Sequence, residues 1–155
     1  MDKIDKRILT ILQQDATMPV AEIGKKVGLS TTPCWRRIQK LEEDGVITRR
    51  VALLHPPSVN ARVTVFVSIR TNMHNAEWLK RFSEVVETFP EVVELYRMSG
   101  DIDYLMRVVV PDIAAYDAFY QRLIAKVDIT DVSSSFAMEQ MKYTTQLPLD
   151  YLLSE

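Results

Sequence analysis

Polar and cationic side chains recur along one face of a predicted helix that begins near residue 31 and ends near residue 44. Helical spacing puts Cys34, Ile38 and Leu41 together on the opposite, apolar face. Arginine and lysine pair with phosphates, glutamine can bond the edge of adenine, and an aromatic ring can contact the thymine methyl group. The outward face therefore suits duplex DNA. The predicted DNA contacts are Ser30, Thr31, Thr32, Trp35, Arg36, Arg37, Gln39, Lys40, Arg49 and Arg50.

The residues of this helix, taken alone, also allow simpler interpretations. A cationic helix face is often only a solvated surface, and Trp35 can instead pack against a neighbouring element. Cys34 is expected to be a small core residue. The DNA interpretation is favoured because a shorter helix and a tight turn precede the cationic helix, which is the order of elements in helix-turn-helix DNA readers.

The two preceding helices have recognisable ends. Apolar residues recur at helical spacing over 2–14 and 20–27, and Asp2 is placed to cap the first helix. Gly28 follows the second helix, where a left-handed residue commonly ends a helix. Ser30 then suits the N-cap of the third helix, because its hydroxyl can accept a hydrogen bond from a first-turn amide.

A β-prone segment and a linker follow the helices. Residues 46–54 predict a β wing that carries Arg49 and Arg50, and the His-Pro-Pro-Ser sequence at 55–58 predicts the linker. The sequence thus predicts three segments. These are a helix-turn-helix domain with its wing at 1–54, a linker at 55–61, and a second domain at 62–155.

The second half alternates strand and helix patterns in the order β-α-β-β-α-β, which predicts a ferredoxin-like domain. The fold class is therefore α+β, with a winged helix-turn-helix at the N-terminus. Both helices would cover one face of the four-stranded sheet, so the other face, which carries Thr64, Phe66 and Ser68, would be bare. A bare, partly apolar sheet face predicts a homodimer. The predicted elements cover 62–70, 75–89, 92–98, 104–110, 112–125 and 131–141.

The composition is typical of a globular protein, and its positive charge is unevenly distributed along the chain. Apolar residues make up 47% and charged residues 26% of the 155 residues, a balance typical of globular proteins. Residues 1–60 hold ten Lys/Arg and seven Asp/Glu, whereas 61–155 hold nine and fourteen, so the positive charge lies in the helical half. One cysteine, no long apolar run and a charged N-terminus predict a cytoplasmic protein that does not contact membranes.

Five stretches share a pattern with known proteins: Asp5–Leu12 (DKRILTIL), Val27–Ser30 (VGLS), Thr32–Leu41 (TPCWRRIQKL) running on through 42–47, Ser99–Arg107 (SGDIDYLMR) and Ser134–Leu147 (SSFAMEQMKYTTQL). Through them the sequence resembles the Lrp/AsnC (leucine-responsive, or feast/famine) family of transcription regulators over essentially the whole chain. The Thr-Thr-Pro-Cys-Trp sequence at 31–35 and the segment 136–145 look most similar to a branch that includes regulators of cysteine detoxification.

This resemblance implies partners that the composition does not reveal. Members of the family dimerise through the C-terminal sheet and the linker strand, and they commonly assemble into octamers. Their effectors are usually amino acids, which bind between neighbouring dimers near a hairpin with a Gly-x-x-Asp pattern. The corresponding predicted effector residues here are Ser99, Gly100, Asp101, Ile102, Asp103 and Tyr104 in the hairpin, and Ser133, Ser134 and Ser135 on the last strand.

The hairpin has a chemistry that suits such a ligand. Asp101 or Asp103 can receive an ammonium group, and backbone amides around Gly100 can receive a carboxylate. The open alternative is a plain turn, since Gly and Asp are common in turns.

Two other classes of protein share parts of this pattern. Ferredoxin-like dimers also serve as small enzymes, but the chain has no His/Cys cluster at ligand spacing and no phosphate-binding glycine motif. We therefore expect no catalytic residues, metal or cofactor. The helical half could instead bind a protein, and DNA binding that falls steeply with salt would distinguish these cases.

Overall fold

The computed structural model describes residues 1–72 and 75–152, which form two compact units. His74, one of the two histidines, lies outside the described residues. The first unit contains residues 1–53 together with the C-terminal segment that begins at Lys142, and the second unit contains Leu54–Met141. The division therefore differs from the predicted one at the C-terminus, where residues 142–152 belong with the helical unit rather than with the sheet.

Three helices form the first unit: α1 (Lys3–Gln14), α2 (Val20–Val27) and α3 (Thr31–Glu43). Asp2 caps α1 as predicted, and its carboxylate accepts hydrogen bonds from the backbone of Ile4 and Asp5. Gly28 ends α2 at φ 79°, in the left-handed conformation that glycine adopts without strain. The shared core consists of Ile8, Leu9, Ile23, Val27, Cys34, Ile38 and Leu41.

Close packing of the α2–α3 turn depends on Gly24. A Cβ atom at this position would lie 2.7 Å from the backbone oxygen of Leu29, closer than side chains normally approach a carbonyl. Ser30 precedes α3 as expected, but its side chain makes no capping hydrogen bond. The third residue of the helix is Pro33, and proline has no N–H to donate to the cap.

The predicted β wing is not a strand in the single chain. Residues 46–54 lie outside helices and strands, and a short 3₁₀ helix follows at Pro56–Val59. A strand needs a hydrogen-bonding partner, and no described segment of the same chain supplies one for 46–54. Alternating Val, Leu and Arg residues indicate β propensity but cannot by themselves provide the partner.

Four antiparallel strands and two helices form the second unit. The strands are β1 (Val63–Arg70), β2 (Val92–Arg97), β3 (Tyr104–Val110) and β4 (Asp131–Phe136), in the sheet order β2-β3-β1-β4. The helices α4 (Ala76–Glu87) and α5 (Ile113–Ile124) lie between β1 and β2 and between β3 and β4 along the chain, as the ferredoxin-like pattern predicted. β4 ends at Phe136 rather than near 141, because Phe136 already pairs with Val65 near the start of β1.

Alternation along β1 separates a core face from an open face. Val65, Val67 and Ile69 are fully buried, whereas Phe66 on the other face is 38% exposed. The core face packs on apolar residues of both helices, including Phe82 of α4 and Phe119 of α5. Ile113, the first residue of α5, is 68% exposed and does not join this core.

Candidate DNA interface and ligand cleft

The third helix presents its polar face to solvent, as expected for a DNA-reading helix. Cys34, Ile38 and Leu41 are buried, and Trp35 on the outer side is half exposed. Burial raises the pKa of the Cys34 thiol, which fits the expected role of a small core residue. The exposed members of the predicted DNA set are Ser30, Thr31, Thr32, Trp35, Arg36, Lys40, Arg49 and Arg50.

Arg37 stands apart from its neighbours because it is bound within the helical unit. Its guanidinium donates to the carboxylates of Asp2 at 2.7 Å and Asp5 at 2.8 Å. The backbone N–H of Asp5 and then the Arg37 guanidinium lower the pKa of Asp2. Arg37 therefore fixes the start of α1 against α3, and its predicted role in DNA binding stays a prediction.

A second set of polar contacts engages Gln39 and Arg50. Gln39 donates to Glu42 at 3.0 Å, and Arg50 donates to the other oxygen of the same carboxylate at 2.8 Å. Glu42 therefore orients both side chains, while Gln39 keeps its carbonyl oxygen and a second N–H, and Arg50 keeps further guanidinium N–H groups. Their predicted DNA contacts stay predictions.

Arg36, Lys40 and Arg49 remain available as cations. Each is exposed and makes no hydrogen bond or ion pair with the described residues. Arg36 and Lys40 also line an open cleft of about 710 Å³ beside Asp2 and Asp5. Arg37 pairs with Asp2 and Asp5 in this cleft, and Asp44 also lines it.

The hairpin between β2 and β3 is held closed by the backbone and by two side chains. Met98 donates its N–H to the Asp103 carbonyl at 2.8 Å, and Gly100 adopts φ 114°, a conformation that other residues rarely reach. Arg70 donates to the Asp101 carbonyl at 2.7 Å. The Asp103 carboxylate accepts the N–H of Thr71 at 2.8 Å, which joins the hairpin to the end of β1.

Beside this hairpin lies a cleft of about 300 Å³ that joins three elements. Arg97 at the end of β2 and Asp103 before β3 give it opposite charges, and Leu79 and Met98 give it an apolar wall. Only Asp103 and Tyr104 of the predicted effector residues line it. The sequence reasoning missed the remaining lining residues, which are Asn75, Ala76, Leu79, Arg97 and Met98. Arginine next to a Gly-Asp hairpin was the available signal for Arg97.

The three serines of β4 are not one group. Ser134 pairs in register with the core-facing Val67, and its hydroxyl bonds the Tyr116 hydroxyl of α5. Ser133 and Ser135 pair with Ser68 and Phe66, so they face the open side of the sheet. None of the three lines the cleft beside the hairpin. Their predicted role in effector binding, which involves neighbouring subunits, stays a prediction.

The open face of the sheet carries a charged network. Arg107 donates to Glu94 at 2.6 Å, and the Tyr96 hydroxyl donates to the other Glu94 oxygen at 3.1 Å. The Arg107 hydrogen bond is the largest influence on Glu94 and lowers its pKa. Within the described residues there is no cluster of three or more His, Cys, Asp or Glu suited to a metal ion. No helix among them is long and apolar enough to cross a membrane.

A helix-turn-helix unit followed by a ferredoxin-like unit with a charged cleft is the architecture of a DNA-binding regulator with a sensor domain. Residues 1–42 match the AsnC-type helix-turn-helix domain, and residues 64–147 match the Lrp/AsnC ligand binding domain. The chain belongs to the Lrp/AsnC family of transcription regulators.

Known relatives and solved structures match this chain over nearly its full length. The chain is 50% identical to the DNA-binding transcriptional activator DecR of Escherichia coli K12, over 97% of this chain and 99% of that protein. It is 49% identical to the glutamate uptake regulatory protein of Zymomonas mobilis, over 96% and 91%. An AsnC family regulator from Agrobacterium tumefaciens is 76% identical and superposes with a TM-score of 0.96, covering 99% of this chain and 100% of that one.

A further structure comes from a ligand complex. A transcriptional regulator of Neisseria meningitidis, solved with L-Met, is 33% identical, has a TM-score of 0.93 and covers 99% of both chains. With the match of the DNA-binding domain, these relatives establish the chain as a DNA-binding transcription regulator.

Proposed function

We propose that this regulator binds operator DNA through α3 and that an α-amino acid, bound in the cleft beside the β2–β3 hairpin, changes its DNA binding or assembly. The observation that carries the proposal is the cleft itself. Arg97 and Asp103 bring opposite charges to a space of about 300 Å³, next to the apolar side chains of Leu79 and Met98. An amino acid needs this combination of one cation, one anion and an apolar wall.

Each part of the ligand has a matching group. The carboxylate of an amino acid would pair with Arg97, assisted by the N-terminus of α4 at Asn75 and Ala76. The ammonium would pair with the Asp103 carboxylate, which lines the same cleft and already holds the Thr71 N–H. The L-Met bound to the Neisseria relative belongs to the same chemical class.

The DNA contacts that we propose follow from exposure and pairing. Arg36, Lys40 and Arg49 bind phosphates, and Thr31 and Thr32 lie at the first turn of α3, where amides and hydroxyls suit a phosphate. Trp35 is placed to contact a base edge, because half of its surface is exposed. Gln39 would contact a base edge through its carbonyl oxygen and second N–H, since Glu42 engages the first N–H.

We further propose a homodimer that assembles to an octamer and acts in the cytoplasm. Support comes from the open sheet face, where Phe66 and Tyr96 are 38% and 51% exposed. The extended residues 46–54 add a second surface, since Val51, Leu53 and Leu54 are each at least 60% exposed. A second copy would supply the strand partner that this segment needs.

The ligand site is tested by isothermal titration calorimetry with the twenty amino acids, one at a time, on wild type and on Arg97→Met. Arg81→Met is the matched control, because Arg81 is an exposed arginine of α4 that does not line the cleft. We expect at least one amino acid to bind wild type and the control, and Arg97→Met to lose the ion pair and bind at least tenfold more weakly. Equal binding by Arg97→Met would refute the site.

A further inference from the structure

The outer side of α1 holds the C-terminal segment of the same chain. Residues 147–152, named here the latch, belong to the helical unit although they follow the last strand of the sheet unit. The Gln13 side chain donates to the Leu147 carbonyl at 3.2 Å and accepts the Leu147 N–H at 2.6 Å. One amide side chain thereby satisfies both backbone groups of one residue, as a neighbouring strand would.

Apolar packing adds to this polar contact. A 3₁₀ turn at Leu149–Tyr151 brings Leu149 and Leu152 to the same side, because residues three apart eclipse in that helix. Both leucines are partly buried and pack against the core cluster of the helical unit, whereas Tyr151 between them is 83% exposed. The alternation shows that the segment has a docked side and a solvent side.

An exposed ion pair completes the latch. Lys6 of α1 lies 2.8 Å from the Asp150 carboxylate, and the Lys6 side chain lowers the pKa of Asp150. The Asp150 side chain is 90% exposed, so solvent screens this pair and it contributes little to docking. The two leucines and Gln13 therefore carry most of the attachment.

We propose that α1 carries a docking surface for residues 147–152, and that its occupant anchors the DNA-binding unit at a second point. The chain passes between the two units at residues 53–54 and again at 141–142. When the latch is docked, the chain on both sides of the sheet unit restrains the helical unit. When the latch is released, only residues 46–54 and the linker restrain it. The role in DNA binding rests on the proposed function, whereas the docking itself does not.

Hydrogen exchange on the full-length protein tests the docking, without DNA or ligand. The Leu147 side chain is 72% exposed, and its N–H is bonded to Gln13. Replacing Gln13 with alanine removes the acceptor, so we expect the Leu147 amide to exchange at least roughly fivefold faster. Gln14→Ala is the matched control, because Gln14 follows on α1 and makes no hydrogen bond with the described part of the latch. Equal exchange in wild type and Gln13→Ala would overturn the docking.

A second pair of variants tests the apolar contacts of the latch. It shows whether faster exchange reflects release of the latch rather than the loss of one hydrogen bond. Leu149→Ser removes a docked side chain, and Tyr151→Ser removes an exposed one from the same turn. We expect only Leu149→Ser to speed exchange at Leu147. If both serine variants behave like wild type, the latch has no apolar attachment and the proposal fails.

The anchoring role is measured by fluorescence anisotropy with a duplex that wild type selects from a random-sequence library. We expect Gln13→Ala to weaken binding to this duplex by roughly threefold to tenfold, because a freer DNA-binding unit is less preorganised. Binding to an unrelated duplex should not change. Faster exchange with unchanged operator affinity would overturn the anchoring role. Failure of wild type to select any duplex would count against the DNA function, while the exchange results would still decide the docking.

Discussion

Two adjacent arginines of α3 should differ in how they contribute to DNA binding. Arg36 is exposed and unpaired among the described residues, whereas Arg37 bonds two carboxylates of the α1 start at 2.7 and 2.8 Å. The sequence pattern predicts a DNA contact for both arginines, but because two ion pairs engage Arg37, we now expect only Arg36→Gln to remove a phosphate contact. The two substitutions change the same charge on the same helix, so they serve as controls for each other.

The size of the effect follows from counterion release. The logarithm of the binding constant falls with the logarithm of salt concentration with a slope of about −0.9 for each neutralised phosphate. Arg36→Gln should therefore make this slope shallower by about 0.9. Arg37→Gln should leave the slope unchanged and instead lower thermal stability, because it breaks both ion pairs. Arg81→Gln, an exposed arginine of α4, is the control outside the helical unit.

The assay is fluorescence anisotropy on one operator duplex at several salt concentrations between about 50 and 200 mM, where phosphate contacts change affinity strongly. Thermal melts of the same samples report the folding effect. A shallower slope for Arg37→Gln, together with a wild-type slope for Arg36→Gln, would refute the assignment of free and paired cations.

The Arg37 network also predicts a dependence on pH. The pKa of Asp2 lies below its ordinary value of 3.8 in the folded protein, first through the Asp5 N–H and then through Arg37. This carboxylate therefore adds stability that is complete above its unfolded pKa and is lost as pH falls through the folded value. Urea melts of wild type between about pH 5 and 2 should show this loss, and Arg37→Gln should show less of it. Equal acid sensitivity would contradict the pairing.

Three further predictions concern the two cores and the sheet. Cys34 is fully buried with a raised pKa, so alkylation by iodoacetamide at pH 8 should be slow in the native protein and fast in urea; rapid native labelling would show that the site is open. Phe119→Ala should lower the free energy of unfolding by about 3–5 kcal/mol in a urea melt, and a loss below about 1 kcal/mol would mean that this core position is not tightly packed. Ser134→Ala should lower the free energy of unfolding by about 1 kcal/mol, because the hydrogen bond to Tyr116 is lost. Amino-acid binding should stay unchanged, and weaker binding would show that Ser134 contributes to the ligand site.

Local patterns predicted the elements whose structure depends on nearby residues. Asp2 caps the start of α1 and Gly28 ends α2 through bonds or backbone conformations confined to one turn, so both positions could be predicted from the sequence. Alternation in β1 likewise separated its core face from its open face. The missing wing at 46–54 and the early end of β4 depend on which distant segment supplies a partner, which local propensity does not record.

The difference between local and distant contacts also explains which site residues could be predicted. The outward face of α3 could be predicted because it lies on one helix. The pairing of Arg37 with Asp2 and Asp5 could not, since those residues are more than thirty positions apart. The cleft combines Asn75 and Arg97 with the hairpin, and only the packing of α4 against the sheet brings them together. The family resemblance directed attention to the hairpin but not to these two residues.

The most direct test of an amino-acid-responsive regulator is reciprocal linkage between its two ligands. The operator Kd is measured with and without each amino acid that binds in calorimetry, and the amino-acid Kd is measured with and without saturating operator. We predict that one amino acid changes the operator Kd by at least roughly fivefold, and that the operator changes the Kd of that amino acid by the same factor. Operator affinity and oligomeric mass that stay constant across all twenty amino acids would contradict the account.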